Sequence, residues 1–380
     1  MHIVVAPDSY KGCLAASQVA FTIKNAWETV FPEAKIEMIP MADGGEGTID
    51  ALLFASRGIK VETCVTGPLM QQVVTQYGVL EDIATVVIEI AQVAGLLMVP
   101  EHQRNPMMTT SYGVGELLLQ AMDQGYRRFI IGLGGSATNE GGLGMLKALG
   151  GIFLDSNGQN VSPIGASLKD IHTVNLSKLD ARIRECTIIV ASDVENTLCG
   201  PRGATFIFGP QKGAIKEQIL ELDASLCSYA QLIESEMGLQ LKDLPGAGAA
   251  GGLGFALLML GAQMNSGARV VMEAAGLADQ IKNADWVITG EGQSDYQTLY
   301  GKLPFHVAKL AKEHKAKAIL ISGGLGEGYE RLYDYFVSCH SITLGPISLN
   351  ESMLNAEKLL FQTAMNVARL VDAAHSEQQQ

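Results

Sequence analysis

The stretch "ADGGEGTID", residues 42–50, sets Asp43, Glu46 and Asp50 among Gly44, Gly45 and Gly47, directly after the apolar run "IEMIPM". Three acids among three glycines make poor core material. Glycine lets the backbone take positive φ and approach a ligand closely, and carboxylates beside such a loop can hold a cation or a proton. The arrangement recurs along the chain. "HIVVA" leads into Asp8, Ser9 and Lys11, "IEMIPM" into Asp43, "CTIIVAS" into Asp193 with Asn196 at turn spacing, and "DWVITG" into Glu291. One acid after a strand is ordinarily a turn residue. Four of them, most with Gly or Lys beside them, point to a cleft holding a divalent cation and an acid–base group. The loop after Glu291, "EGQSDYQTLYGK", adds Asp295, Gln297, Thr298 and Lys302.

A second kind of signal is glycine itself. "GGLGMLKALG" (141–150) and "GGLGFALLMLG" (251–261) both run from Gly-Gly-Leu-Gly into an apolar helix. Glycines of this kind allow tight helix packing, or they leave a helix N-terminus with free N–H groups for an anion; two in one chain favour phosphate. Gly132, Gly134 and Ala137 also fit the relaxed dinucleotide pattern G-x-G-x-x-A, with Asp155 after "GGIFL" where a ribose-binding acid would stand. That supports an NAD-dependent hydroxy-acid dehydrogenase as the alternative. Against it, Ser136, Thr138, Asn139 and Glu140 are polar where such a helix needs small apolar residues. No P-loop and no protein-kinase motif set occurs. Lys212 in "FGPQKGA" reads either as a phosphate partner or as a solvated lysine. Histidines are isolated, and the six cysteines show no C-x-x-C pair and read as reduced thiols of a cytoplasmic protein.

The elements that must carry these residues follow from the apolar runs. Short β-rich runs alternate with helical stretches at the start (helices over 17–29 and from 48) and again after 284, as in a parallel sheet with helices on its faces. In the middle, "KVETCVTGPLMQQVVTQYGVL" alternates around Gly-Pro and predicts an antiparallel hairpin, which makes the sheet there mixed. The expected fold is α/β in two domains: a Rossmann-like, parallel, three-layer domain from residues 1–60 and 270–370, and a mixed-sheet α/β domain, 61–269, inserted in it. Residues 371–380 read as a disordered tail. A chain of 380 residues with 47% apolar and 18% charged content fits two folded domains. A net charge of -13 argues against nucleic acid or an anionic membrane surface as partner. No apolar run is long enough for a membrane span.

Taken in order, "APDSYKG", "PMADGGEGT", "VTGPL", "GLGGSATNEGG", "SDVENTLCG", "FGPQKGA", "PGAGAAGGLG" and "ITGEGQSDYQT" resemble the signature blocks of the bacterial type I glycerate kinases, over about residues 1–370. The resemblance implies a two-domain α/β enzyme that phosphorylates D-glycerate with ATP and Mg²⁺, with 2-phosphoglycerate favoured as product and the reaction in an interdomain cleft. The chain departs from the family's usual residues at Glu140 (Asp), Thr197 (Pro) and Gln293 (Arg). On this reading Asp193 is the base and Lys11 the catalytic cation. Asp8, Asp43, Glu46, Arg104, Asn196, Asp295 and Gln297 bind the substrate. Gly134, Gly135, Ser136, Thr138, Asn139, Gly251, Gly252 and Lys302 bind the nucleotide, and Glu291 and Asp43 ligate the metal. The expected partners are small molecules alone, with a homo-oligomer left open. A ligand sensor without turnover is the non-enzymatic reading.

Overall fold

The computed structural model describes residues 1–56 and 58–377. By its contacts the chain divides into two units. The first comprises Met1–Asp43, Asp50–Ser56 and the chain from Ala268 on; the second comprises Gly44–Ile49 and the chain from 57 to Gly267.

In the first unit, a five-stranded sheet forms among the described residues, in the order Ser338–Ser341, Lys317–Ser322, Trp286–Thr289, His2–Val5, Lys35–Met38. Every pairing in it is parallel. Its central strands are mostly apolar because both faces are covered. Ile3, Val5, Ile288, Ile319 and Ile321 meet Val19, Ile23 and Trp27 of helix Ala16–Val30 and Leu360, Ala364 and Val367 of helix Ala356–Glu377. The residues between them point the other way, where helix Leu303–Glu313 lies on the strands Trp286–Thr289 and Lys317–Ser322. This is the expected three-layer parallel arrangement. The last helix runs through Glu377, so residues 371–377 are helical and not the disordered tail read from "AAHSEQQQ"; its outer turns carry enough apolar residues (Val367, Ala368, Val371) to stay docked. Residues 378–380 lie outside the described residues.

In the second unit, a six-stranded sheet among the described residues runs in the order Gln263–Asn265, Thr187–Ala191, Arg128–Gly132, Thr85–Glu89, Gln72–Leu80, Gly58–Thr66. The last two strands form the antiparallel hairpin, closed around Gly67 and Pro68, and Gln72–Leu80 is also antiparallel to Thr85–Glu89. The other pairings are parallel. The mixed sheet is thus as expected. Its core joins Ile88, Phe129 and Ile131 to Leu117, Leu143, Tyr229 and Phe255 of the covering helices. "GGIFLD" differs from its reading as the next strand of a dinucleotide fold. Ile152–Leu154 leaves the main sheet and pairs antiparallel with Thr173–Asn175.

Candidate active site

Parallel α/β sheets collect functional groups beyond the carboxyl ends of their strands. In the first unit three neighbouring strands do so. Asp8 follows His2–Val5, Asp43 follows Lys35–Met38, and Glu291 follows Trp286–Thr289. The loops are tied together by backbone: the Asp8 N–H donates to the Gly290 carbonyl (2.9 Å) and the Met41 N–H to the Pro7 carbonyl (2.9 Å). Two lysines accompany the three acids. Lys11 Nζ lies 2.7 Å from Asp43 Oδ2, and Lys302 Nζ lies 3.3 Å from Glu291 Oε2. Glu291 Oε1 accepts from the hydroxyls of Ser294 (2.9 Å) and Thr298 (2.8 Å). Asp8 is nearly buried and accepts from the Ser9 N–H at 2.6 Å. Burial, and then the negative charge of Asp43, push its carboxyl up to about 7, against the pull of Lys11. Asp295 caps the short turn Tyr296–Tyr300, accepting from the Gln297 N–H (2.8 Å), and the Gln297 side chain is exposed.

Asp43 and Glu291 each face one ammonium group, and Asp8 stands beside them with its carboxyl raised. Among the described residues no group of three or more His, Cys, Asp or Glu is arranged as a metal cage. Mg²⁺ does not need one, since it keeps several waters and takes one or two carboxylates. Asp43 and Glu291 fit that modest demand.

The second unit holds the other predicted residues. Asp193 follows strand Thr187–Ala191; it is exposed, and its Oδ1 accepts from the Gly267 N–H at 3.1 Å. Asn196 donates to the Arg202 carbonyl (2.7 Å) and so shapes that loop. Glu46 is exposed in the segment Gly44–Ile49. That segment rests on strand ends of its own unit. A Cβ at Gly44 would stand 2.6 Å from the Ala191 carbonyl oxygen, one at Gly132 2.3 Å from the Gly44 oxygen, and one at Gly134 2.7 Å from Gly45 Cα. Gly135 takes φ +71° and its carbonyl accepts from the Leu96 N–H (2.8 Å). The G-x-G pattern therefore admits a loop of the protein, not a pyrophosphate. Asp155 holds a turn through the Asn157 and Gln159 N–H groups (2.8 and 2.9 Å). The features behind the dehydrogenase alternative are thereby accounted for by structure.

The two Gly-Gly-Leu-Gly loops also differ from expectation. They pack on each other. The Gly141 N–H donates to the Gly251 carbonyl (3.0 Å), and a Cβ at Gly251 would stand 1.9 Å from the Thr138 oxygen, one at Gly252 2.8 Å from Gly141 Cα. At the start of helix Leu143–Ala148 the N–H groups of Gly142 and Gly144 are taken by the buried Glu140 carboxylate, and that of Met145 by the Ser111 hydroxyl. The expected open phosphate cradles, with Gly251 and Gly252 in one of them, are replaced by a closed contact between loops. Ser136, Thr138 and Asn139 are nonetheless gathered, around a residue left ambiguous by the sequence. Lys212 is 3% exposed, and its Nζ donates to Ser136 Oγ (2.9 Å) and to the Thr138 carbonyl (2.7 Å). Asn139 donates to Thr205 Oγ1 (2.8 Å).

A profile of the glycerate kinase family matches residues 3–372. The chain belongs to the glycerate kinase family. Relatives include a glycerate kinase of Halalkalibacterium halodurans, 44% identical over 96% of this chain and 97% of that one. A glycerate 2-kinase of Escherichia coli K12 is 43% identical, covering 97% of each chain. A crystal structure from Salmonella typhimurium LT2, assigned to glycerate kinase 2, matches with a TM-score of 0.87 at 41% identity, covering 99% of each chain. The protein is therefore an enzyme with kinase activity. Its sequence has neither a P-loop nor a protein-kinase motif set. No helix among the described residues is long and apolar enough to cross a membrane. One buried acid was not singled out from the sequence. Glu89, at the end of strand Thr85–Glu89, accepts from the Ile49 N–H (2.6 Å) and from Gln92 (2.7 Å); an acid inside the apolar run "ATVVIEI" is the cue to it. Lys212, read as either a phosphate partner or a solvated lysine, is buried, and its burial has no sequence cue.

Proposed function

We propose that this kinase transfers the γ-phosphoryl group of ATP to D-glycerate, at the 2-hydroxyl. Its family relationship along nearly the whole chain, to glycerate kinases and to a glycerate 2-kinase, carries this reading. Phosphoryl transfer is mostly positioning and charge neutralisation, and the grouped acids and ammonium groups of the strand ends support it.

In this reading Asp193 accepts the proton of the attacking hydroxyl, and Lys11 offsets the charge of the moving phosphoryl group. Asp8, Asp43, Arg104 and Asn196 orient glycerate. Ser136, Thr138, Asn139 and Lys302 meet phosphate oxygens. Asp43 and Glu291 are the protein's ligands for Mg²⁺, which when bound would neutralise phosphate charge. A cytoplasmic site of action belongs to the same reading; six free cysteines support it. An ADP-release assay with D-glycerate, L-glycerate and glycerol, with and without a chelator, tests it. Turnover with D-glycerate alone, abolished by chelation, is expected, and phosphorus NMR of the product should show 2-phosphoglycerate. No ADP release with any of the three would overturn the substrate; 3-phosphoglycerate would overturn the position of attack.

A further inference from the structure

We propose that Lys212, with Arg104 beside it, is an oxyanion-binding residue of this kinase, contacting a carboxylate or phosphoryl oxygen of a bound substrate. The inference rests on the kinase reading above and adds to it a residue that the reading does not use.

The argument begins with what Lys212 lacks. An ammonium group carries three N–H donors. Two are used, both toward neutral oxygens: the Ser136 hydroxyl and the Thr138 carbonyl. Among the described residues no carboxylate lies within ion-pair distance of Nζ. Glu140 is the nearby acid that acts on it, and Glu140 is itself engaged with the Gly142 and Gly144 N–H groups. A buried cation without a counter-charge is costly. Burial accordingly lowers the Lys212 amine to about 7. An arriving oxyanion supplies the missing charge and the third acceptor together.

The surroundings are built for such a guest. Arg104 Nε, a donor, is buried without a hydrogen-bond partner among the described residues. Arg104 and Lys212 belong to one neighbourhood. The Arg104 backbone closes on Gly213, next to Lys212, where a Cβ would stand 2.2 Å from its carbonyl oxygen, and Thr109 Oγ1 donates to the Ala137 carbonyl (3.0 Å).

The test compares wild-type protein with Lys212→Met and Lys212→Arg, measuring KM for D-glycerate, KM for ATP, kcat and melting temperature. Loss of a hydrogen bond to a charged group should raise one of the two KM values by at least about tenfold in Lys212→Met. The arginine variant should recover part of it. A rise for D-glycerate alone identifies a carboxylate; a rise for ATP alone identifies a phosphate. Isothermal calorimetry with each compound separately checks the same affinity without turnover. A folded Lys212→Met whose two KM values and binding constants match wild type overturns the proposal, as does a variant with lower melting temperature and kcat but unchanged affinities. Absence of ADP release in the wild type would instead count against the kinase substrate, and calorimetry with ATP and inorganic phosphate would still judge Lys212.

Discussion

At the scale of single residues, the acids at the strand ends divide by environment. Asp193 is exposed and holds one backbone N–H, so Asp193→Asn keeps the loop's acceptor while removing the charge. The variant should melt near wild type and lose about 10²–10⁴ in kcat, the usual worth of acid–base assistance; circular dichroism and steady-state kinetics check both halves. Asp8 is the opposite case. Its carboxyl is pushed up to about 7 by burial and by Asp43, so the folded chain holds a proton there that the unfolded chain releases near the ordinary value of 3.8. The folded state then binds more protons across that window, and its stability falls as pH rises from about 4 to 7. Denaturant titrations at several pH values should show that slope in the wild type and a shallower one in Asp8→Asn.

At the scale of elements, the loops 138–142 and 250–252 lock together through left-handed residues. Gly251 has φ +67° and no room for a Cβ against the Thr138 oxygen. Gly251→Ala should lower stability by about 1–3 kcal/mol, from strain and displaced backbone, read as a shift in denaturant midpoint at unchanged slope. This contact also marks the limit of what the sequence states. Apolar runs announced the parallel strands, because a strand buried on both faces must be apolar, and alternation around Gly67 and Pro68 announced the hairpin. Asp8, Asp43, Asp193 and Glu291 were read as one group of strand-end acids; Asp8, Asp43 and Glu291 follow neighbouring parallel strands, whereas Asp193 follows a strand of the other sheet, which a strand-end acid by itself does not reveal. The Gly-Gly-Leu-Gly loops were legible as special but not as partners, because positive φ is written in residue type and what lies opposite is not. Ile152–Leu154 misled for a related reason: three apolar residues specify a strand without specifying its sheet. Lys212 was ambiguous because burial of a lysine depends on the whole unit that closes around it.

At the scale of the whole molecule, the first unit is assembled from distant parts of the chain. Its strand His2–Val5 pairs with Lys35–Met38 on one side and with Trp286–Thr289 on the other. On a ribosome that second neighbour emerges late, roughly a quarter of a minute to a minute after the first at about 5–20 residues per second. Throughout that interval an apolar strand waits with one edge bare, an invitation to aggregation. The second unit has no such delay, since its contacts lie within residues 44–267. Nascent chains stalled once Gly267 has cleared the exit tunnel, with Trp286–Thr289 still inside it, should resist protease across the stretch from 58 and be cut within residues 2–38, with protection of the N-terminal strand gained only once the segment beyond Thr289 is free of the tunnel. The order of synthesis lets the second unit close before the first, whose opening strand waits longest for its second neighbour.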